Sequence, residues 1–348
     1  MNHTAGAGSG GPLYFSDPAC LEHDPRAYMP GHPDTPERLV AIEGELQARD
    51  WLGWERRGAA AAGEEELELV HSAEHVRGIA ELCASGGGAI DADTYVGEAS
   101  FGAAVHAVGC VCEMTRALVG GQASVAFSGV RPSGHHAEPE RAMGFCLFDN
   151  VAIGAELAIR ELGLERVLVL DWDVHHGNGT AEAFRYRSDV LFASIHQGGL
   201  YPGTGPLGDS GSGAGEGYTI NLPVPAGSEE ELWLSLLEHV ILPAAGAFEP
   251  QLVLISAGFD GHLRDPLASC RLASESFARM ACHVRDFAAE RRIPLGGVLE
   301  GGYEPAALAE SLALTLAALG GEGEAVSAAP EPLLTSRAAA HVGHYWPL

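Results

Sequence analysis

The chain has 348 residues, 46% of them hydrophobic, and a net charge of −27 in which all 20 basic residues are arginine. Such an acidic surface repels phosphate groups, so we expect no direct binding of nucleic acid. No long unbroken apolar run is apparent, and a membrane span is therefore not expected either.

The N-terminus and the cysteines favour a cytoplasmic protein. Residues 1–11 are rich in Gly, Ala and Ser and lack the basic and then apolar pattern of a secretory signal, so we predict a flexible tail there. The seven cysteines form no Cys-x-x-Cys pair. Their odd number argues against a disulfide framework and for a reducing compartment. Because no linker of shifted composition is present, residues 12–348 are predicted to form one domain.

Apolar runs typical of buried strands alternate along the chain with segments of helical pattern. The predicted strands are Ser124–Phe127, Val167–Leu170, Val190–Ile195, Leu252–Ser256 and Leu295–Leu299. The predicted helices are Glu37–Arg49, Ser72–Cys83, Phe101–Val119, Val151–Glu161, Glu229–Phe248, Glu275–Glu290 and Pro305–Leu319. This alternation predicts an α/β fold with a mainly parallel β-sheet sandwiched between helical layers. The Gly-rich segment Gly198–Gly217 is long enough to indicate a functional loop.

The predicted strand Val167–Leu170 is followed by an alternation of polar and apolar side chains. Asp171, Asp173 and His175 occupy every second position, so they leave the same side of an extended chain. Three polar groups converging in a core are costly unless a partner satisfies them. Carboxylate and imidazole ligands suit a catalytic divalent metal better than a closed structural zinc site. A salt-bridged, hydrogen-bonded strand end is the alternative.

Three further motifs place polar groups at, or close after, the ends of other predicted strands. Arg131–Ala137 contains the adjacent pair His135 and His136, which could bind metal or act as a paired acid and base. Ser256–Asp260 ends on a carboxylate, and Leu299–Tyr303 ends on two glycines and a tyrosine. Ligands of such folds bind beyond the carboxyl ends of the strands, so we expect the motifs to open on one rim.

In this order the motifs resemble those of the zinc-dependent histone deacetylase family, which has the arginase-like fold. The resemblance is greatest to its bacterial class II-type deacetylases and to the related acetylpolyamine amidohydrolases. It extends from His32 to Tyr303 and so covers most of the chain. The segments that carry it are His32–Arg38, Gly134–Ala137, Met143–Cys146, Asp171–Thr180, Tyr201–Gly205, Gly258–Asp260 and Glu300–Tyr303. It implies that residues 12–348 form a histone deacetylase-like catalytic domain.

The resemblance implies one catalytic zinc ion (Zn²⁺) held by Asp173, His175 and Asp260. Three protein ligands leave positions open for water and substrate. The implied reaction is the hydrolysis of an acyl amide by a water molecule on the metal, whose pKa zinc lowers toward ~7.

The same resemblance assigns the proton transfers and the oxyanion contact. His136 is expected to act as a base toward the attacking water and then as an acid toward the leaving amine, with electrostatic support from His135. Tyr303 is expected to donate a hydrogen bond to the developing oxyanion. Weakly active family members carry a histidine in place of this tyrosine, so Tyr303 predicts an active enzyme.

The resemblance also implies residues that orient the two histidines. Asp171 is expected to orient His135, and Asn178 is expected to orient His136. Some class I members carry an aspartate in place of Asn178, so His136 should be less basic here. The resemblance also implies a structural potassium ion (K⁺). The residues implied for it are Asp171, Asp173, His175 and Ser194.

The residues expected to line a substrate tunnel are Asp93, Gly144, Phe145, Tyr201 and Leu267. The aromatic pair Phe145 and Tyr201 would grip an acyl-lysine stem. Polyamine-specific relatives carry a glutamate where Leu267 follows Asp265-Pro266, so the leucine favours lysine side chains of proteins or peptides as the substrate. Asp93 either clamps the substrate backbone or forms a turn.

Three other functions remain open on sequence grounds. An acetylpolyamine amidohydrolase would use the same residues on a small acetylated amine. An arginase-like hydrolase would need two manganese ions about 3.5–4 Å apart and additional bridging carboxylates. A non-catalytic module would bind acyl-lysine without turnover. The sequence leaves open the acyl preference, the oligomeric state (monomer or homo-oligomer), the choice between zinc and iron, and whether Tyr345–Leu348 docks on the domain or on another subunit.

Overall fold

The computed structural model describes residues 10–327 and 333–348. Its strands are β1 (Leu13–Phe15), β2 (Glu55–Arg57), β3 (Gly87–Ala89), β4 (Tyr95–Gly97), β5 (Val125–Ser128), β6 (Val167–Asp171), β7 (Val190–Gln197), β8 (Thr219–Val224), β9 (Leu252–Ala257) and β10 (Leu295–Leu299). Its α-helices are α1 (Glu37–Ala48), α2 (Glu64–Leu67), α3 (Ala73–Ala84), α4 (Ser100–Val119), α5 (Asn150–Arg160), α6 (Asn178–Phe184), α7 (Glu230–Leu236), α8 (Leu242–Phe248), α9 (Ser274–Arg291), α10 (Pro305–Leu319) and α11 (Leu334–Val342). A π-helical turn, Leu237–Ile241, joins α7 to α8. Residues 1–9 of the predicted tail lie outside the described residues.

Eight strands form one sheet in the order β2-β1-β5-β10-β9-β6-β7-β8, and every neighbouring pair is parallel. Strands β6, β7, β9 and β10 are buried along their whole length, as expected for strands covered on both faces. The predicted α/β fold with a parallel sheet flanked by helices is confirmed. A separate antiparallel hairpin consists of β3 and β4.

Close packing of helices on the sheet depends on small residues. Gly296 in β10 is such a position, because a Cβ there would lie 3.0 Å from side-chain atoms of Leu118 and Met114 in α4. Helix α4 also packs along α5, and α10 packs against both α1 and α9. Interiors packed this densely hold their side chains in fixed positions. The strand ends that carry the polar motifs are therefore rigidly supported.

Two helical stretches, Ser100–Val119 and Glu230–Phe248, are long and apolar enough by composition to cross a membrane. Neither stretch is an unbroken apolar run, so the sequence alone does not identify them as candidates. In the structure, 72% of the apolar window in the first stretch and 56% of that in the second are buried within the domain. Such burial is typical of core helices.

Three strands of the large sheet were not predicted from the sequence. Strands β1 and β2 have three residues each, which is too short for a periodic pattern. Strand β8 contains Pro223, which cannot donate a main-chain hydrogen bond. Because β8 is an edge strand, the missing donor is tolerated there.

The C-terminal segment docks on its own domain, which decides between the two alternatives left open by the sequence. The indole Nε1 of Trp346 donates a 2.6 Å hydrogen bond to the carbonyl of Gly217, and the Trp346 ring packs edge-on against Tyr218. In α11, His341 Nε2 lies 2.9 Å from Ser210 Oγ. Helix α11 and the C-terminus therefore tie down the distal half of the Gly-rich loop.

Candidate active site

Five adjacent strands, β5, β10, β9, β6 and β7, end on the same edge of the sheet because they are parallel. The segment after β5 carries His135 and His136, the segment after β10 carries Tyr303, and the segment after β9 carries Asp260. Strand β6 ends at Asp171 and continues into the alternating motif. The four motifs therefore converge on one rim, beyond the carboxyl ends of the strands.

Asp173, His175 and Asp260 form a buried cluster whose potential ligand atoms all lie within 4.8 Å of one another. The Nδ1 atom of His175 is 3.2 Å from Asp173 Oδ1 and 3.0 Å from Asp260 Oδ2. Main-chain groups fix both carboxylates: the N–H of Gly301 donates to Asp173 Oδ2 at 2.8 Å, and that of Val174 donates to Asp260 Oδ1 at 2.9 Å. The cluster is thus held in place by its own backbone.

The electrostatics of this cluster favour a cation. Burial and the neighbouring Asp173 raise the pKa of Asp260. Burial opposes protonation of His175, yet the carboxylates of Asp260 and Asp173 outweigh it and raise its pKa to about 10. Two buried carboxylates around one imidazole carry an excess of negative charge that a divalent ion would neutralise. Three ligands of oxygen, nitrogen and oxygen type fit an open catalytic metal site.

Each histidine of the adjacent pair has its own hydrogen-bond partner. His135 Nδ1 lies 2.9 Å from Asp171 Oδ2, and His136 Nδ1 lies 2.8 Å from Asn178 Oδ1. Burial works against a charged His135, but the carboxylates of Asp173 and Asp171 raise its pKa well above the usual value. Burial and the adjacent His135 charge lower the pKa of His136 well below the usual value. The surroundings therefore favour a charged His135 beside a neutral His136, which is the form a base requires.

The carboxylate of Glu300 anchors the loop that carries the histidine pair. Its Oε2 accepts the main-chain N–H of Gly134 at 2.7 Å and that of His135 at 3.2 Å, and its Oε1 accepts the hydroxyl of Ser256 at 3.2 Å. Glu300 is fully buried, and burial raises its pKa to about 8. One side chain thereby links the ends of β5, β9 and β10. Sequence reasoning missed this role, although Glu300 directly precedes the Gly301-Gly302-Tyr303 motif.

Tyr303 is held from both sides. The guanidinium of Arg38 lies over its ring and donates to the carbonyl of Gly302 at 2.6 Å, while Arg38 itself pairs with Asp34 at 2.8 Å. On the other side, the main-chain N–H of Tyr303 donates to Asp265 Oδ2 at 2.7 Å. Burial raises the pKa of Tyr303 well above its usual value, so its hydroxyl stays protonated and able to donate.

A cavity of about 200 Å³ leads to the cluster. The residues that line it are Asp93, His136, Gly144, Phe145, His175, Leu200, Tyr201, Leu267 and Tyr303. All five predicted tunnel residues are among them, and Leu200, from the Gly-rich loop, is an addition. Tyr201 packs edge-on against His136 with ring centres 5.1 Å apart, and Phe145 packs edge-on against Tyr303 at 5.7 Å. Aromatic walls of this kind suit a narrow aliphatic chain.

Asp93 lies in a turn beside the cavity. The turn is made by Asp91, whose Oδ1 accepts the main-chain N–H groups of Asp93 and Thr94 at 3.1 and 2.8 Å. Asp93 lines the cavity, and its Oδ1 accepts the hydroxyl of Thr94 at 2.9 Å. Its main-chain carbonyl lies 3.0 Å from His32 Nε2. Asp93 thus lies within the turn and also lines the cavity, so both of its predicted roles stay predictions.

Comparison with known proteins decides the family. Residues 32–319, most of the chain, match the histone deacetylase domain. The chain belongs to the histone deacetylase family. The family and the fold predicted from the sequence are thereby confirmed.

Relatives of this histone deacetylase family member occur in bacteria and plants. A histone deacetylase-like amidohydrolase of Pseudomonas aeruginosa is 40% identical over 287 residues, which are 79% of this chain and 73% of the relative. The chloroplastic histone deacetylase 10 of Oryza sativa is 37% identical over 345 residues, 92% of this chain and 76% of that protein. The crystal structure of the HDA15 HD domain matches with a TM-score of 0.91 and 33% identity, covering 97% of both chains.

Histone deacetylases are generally zinc-dependent, and the buried Asp173, His175 and Asp260 are suited to hold such an ion. Within residues 10–327 and 333–348, they are the one group of three potential ligands that lie this close together. That finding does not favour the two-manganese, arginase-like alternative. The individual roles of the site residues stay predictions.

The residues implied for potassium lie on two neighbouring strands and the segment after one of them. Asp171 and Ser194 are register partners in β6 and β7. Asp171 Oδ1 accepts the main-chain N–H of Asp173 at 2.9 Å, and Ser194 Oγ lies 2.9 Å from His196 Nδ1. A potassium ion in this histone deacetylase family member stays a prediction.

Proposed function

We propose that the chain is a zinc-dependent amidohydrolase that removes acetyl or related acyl groups from lysine side chains of proteins or peptides. The observation that carries the proposal is the position of the buried Asp173–His175–Asp260 cluster beside a cavity of about 200 Å³ that is also lined by His136 and Tyr303. Metal ligands, a base and a hydroxyl donor in one cavity are the groups that hydrolysis of an amide requires.

His136 transfers the proton from the attacking water to the leaving amine. A divalent ion held by the cluster would polarise the acyl carbonyl and lower the pKa of the attacking water. His136 Nδ1 is engaged by Asn178, so Nε2 is the nitrogen free to accept the proton of that water. The same Nε2 then gives the proton to the leaving amine nitrogen, which departs neutral. His135, held by Asp171, supplies positive charge and hydrogen bonding beside the reacting carbonyl.

Tyr303 acts on the developing oxyanion. Its protonated hydroxyl donates a hydrogen bond to the carbonyl oxygen as negative charge accumulates there. Loss of such a donor typically costs ~2.7–4 kcal/mol of transition-state stabilisation. Because Arg38 and Asp265 fix the Tyr303 ring and main chain, the hydroxyl needs little reorganisation during the reaction.

The cavity favours an acyl-lysine over a bulkier substrate. Phe145 and Tyr201 supply aromatic walls, and Leu267 adds an apolar group where a charged one would select a polyamine. Asp93 lines the same cavity, and its carboxylate is suited to accept N–H groups of a peptide backbone. The net charge of −27 would attract lysine- and arginine-rich segments.

An acetylpolyamine is the second candidate substrate. The strongly acidic chain would also attract a small polycationic amine. The Pseudomonas aeruginosa relative is named an amidohydrolase, which does not restrict the substrate to proteins. Leu267 is the feature that argues against this candidate.

A substrate panel tests the proposal. Acetyl-, longer-acyl- and trifluoroacetyl-lysine peptides are compared with acetylpolyamines, with and without chelator. We expect higher kcat/KM on an acyl-lysine peptide, loss of activity with chelator, and recovery with zinc. Faster turnover of acetylspermidine would favour the second candidate. Wild-type protein silent on every substrate, and equally silent after Tyr303→Phe, would indicate a binding module without turnover.

We also propose that the protein works in a reducing, cytoplasmic compartment. All seven cysteines are free and buried, which supports that setting. The chloroplastic name of the Oryza sativa relative refers to that protein.

A further inference from the structure

Three side chains form a hydrogen-bonded chain that leads from the protein surface to the cavity. His136 Nδ1 lies 2.8 Å from Asn178 Oδ1, and Asn178 Nδ2 donates to Glu138 Oε1 at 2.8 Å. The same Nδ2 is 3.4 Å from the carbonyl of His136 and 3.4 Å from Met143 Sδ. Glu138 is partly exposed, whereas Asn178 and His136 are buried. Of the three contacts that Asn178 Nδ2 makes, the one to the Glu138 carboxylate is therefore the shortest.

The Glu138 carboxylate determines the orientation of the Asn178 side-chain amide. A carboxylate oxygen only accepts hydrogen bonds, so it requires the NH₂ of the amide to face it. A flipped amide would place Asn178 Oδ1 against the Glu138 oxygen, where two acceptors would meet without a proton. With the NH₂ directed at Glu138, Oδ1 must face the imidazole of His136.

The orientation of the amide in turn decides the tautomer of His136. Oδ1 of Asn178 is an acceptor, so His136 Nδ1 must carry the proton that it accepts. In a neutral imidazole the other nitrogen, Nε2, is then the one with the free lone pair. A flipped Asn178 would donate to Nδ1 and leave the proton on Nε2. That tautomer cannot accept a proton from water in the cavity.

We propose that Glu138 is a positioning residue that fixes the amide of Asn178 and, through it, the His136 tautomer that acts as the base. This inference rests on the proposed function, because the tautomer matters only if His136 moves a proton. The weaker contacts of Asn178 Nδ2 to the His136 carbonyl and to Met143 favour the same orientation. Loss of Glu138 therefore weakens the preference without abolishing it.

The side chain of Glu138 can be replaced without loss of the hydrogen bonds that its main chain makes. Its main chain forms an isolated bridge with Arg141, with N–H to carbonyl distances of 2.9 and 3.1 Å in the two directions. This bridge does not involve the side chain. Glu140, an exposed neighbour in the same turn, serves as the matched control because its side chain lies outside the chain of contacts to His136.

The experiment compares Glu138→Ala, Glu138→Gln and Glu140→Ala, together with Asn178→Ala and the Glu138→Ala/Asn178→Ala double variant. Steady-state kcat and KM are measured on one acetyl-lysine peptide. The ¹⁵N spectrum of labelled histidine is recorded on each purified protein, with His136 assigned from the signals lost in His136→Ala. The spectrum reports the tautomer without requiring turnover.

Because kcat scales with the fraction of His136 in the Nδ1–H tautomer, we expect Glu138→Ala to lower kcat by up to about two-fold with little change in KM. Its His136 signals should move toward the Nε2–H tautomer. Glu138→Gln keeps an acceptor oxygen and should match wild type in both kcat and histidine signals. In the Asn178→Ala background, the Glu138→Ala change should have no further effect on kcat.

Two results would overturn the inference: a Glu138→Ala protein that matches Glu140→Ala in kcat and in its His136 signals, or one that loses the same factor in the Asn178→Ala background. If wild type hydrolyses no acyl substrate, the proposed function fails by itself. The histidine spectra then still decide whether Glu138 sets the tautomer.

Discussion

The guanidinium carbon of Arg38 lies 4.8 Å from the centre of the Tyr303 ring, and Arg38 Nε donates to the carbonyl just before that tyrosine. Arg38 is fully buried and paired with Asp34, so the cation is fixed before substrate arrives. It contacts the ring and the main chain of the segment. The position of the Tyr303 ring is therefore set independently of its hydroxyl, and the hydroxyl can be removed alone.

Tyr303→Phe should lower kcat by about 10²–10³-fold, the loss typical for one oxyanion donor. The phenyl ring keeps the contact with Arg38 and the packing against Phe145. We therefore expect KM and the melting temperature to stay close to wild type. Steady-state kinetics on an acetyl-lysine peptide and a thermal melt measure both quantities. A loss in kcat below about three-fold would contradict the assigned role.

Removal of the metal should abolish activity and lower stability together. Binding to the folded state alone stabilises by about 2.7 kcal/mol when free zinc is 100-fold above the dissociation constant. Zinc should thus raise the melting temperature of the chelator-treated wild type. In Asp260→Asn, which removes one ligand charge, this rise should be absent, while Asp286→Asn in α9 should keep it. An equal rise in Asp260→Asn would place the zinc elsewhere.

The motifs of the site could be predicted from the sequence because each follows a strand that its apolar run reveals. Strand β6 is apolar from Val167 to Leu170, and the polar alternation begins at once after it. The supporting contacts could not be predicted, since their partners are distant along the chain. Glu300 reaches Gly134 across 166 positions, and Glu138 reaches Asn178 across 40. Only the folded chain brings such pairs together.

Gly144→Ala should disable the site through His136. A Cβ at this position would lie 2.5 Å from the His136 ring, and the residue has φ of +57°. We expect kcat/KM to fall at least ten-fold, and overpacking of this kind destabilises by roughly 1–3 kcal/mol. Gly163→Ala is the matched control, because it has φ of +76° and no atom within 4 Å of the added Cβ. Equal losses in the two variants would mean that backbone strain, and not the contact with His136, is responsible.

The buried carboxyl of Asp149 should make the free energy of unfolding depend on pH. It caps α5 by accepting the N–H of Ala152 at 3.0 Å, it accepts the hydroxyl of Thr180 at 2.8 Å, and burial raises its pKa to about 7. Since this value lies above that of the unfolded chain, the folded state binds more protons between the two pKa values. The contribution of Asp149 to stability is therefore lost as pH rises from about 4 to about 7.

Asp149→Asn keeps an oxygen for the cap and carries no charge at any pH. Relative to wild type, the variant should gain up to about 2–3 kcal/mol in free energy of unfolding between pH 5 and pH 7.5, at about 1.4 kcal/mol for each pKa unit. Urea unfolding at the two pH values measures this difference. A difference between variant and wild type that is the same at both pH values would show that the Asp149 carboxyl does not titrate over this range.

Leu267→Glu should move the substrate preference toward acetylpolyamines. Leu267 lines the cavity, and a carboxylate there would attract the ammonium groups of a polyamine while it removes apolar contact from a lysine stem. We expect kcat/KM to rise on acetylspermidine and to fall on an acetyl-lysine peptide, so that their ratio shifts by about ten-fold or more. Leu263→Glu adds the same charge at an exposed leucine four positions earlier that does not line the cavity, and its ratio should stay near that of wild type. Equal shifts in both variants would mean that the overall charge of this acidic chain selects the substrate. A shift confined to Leu267→Glu would assign the selection to the cavity itself.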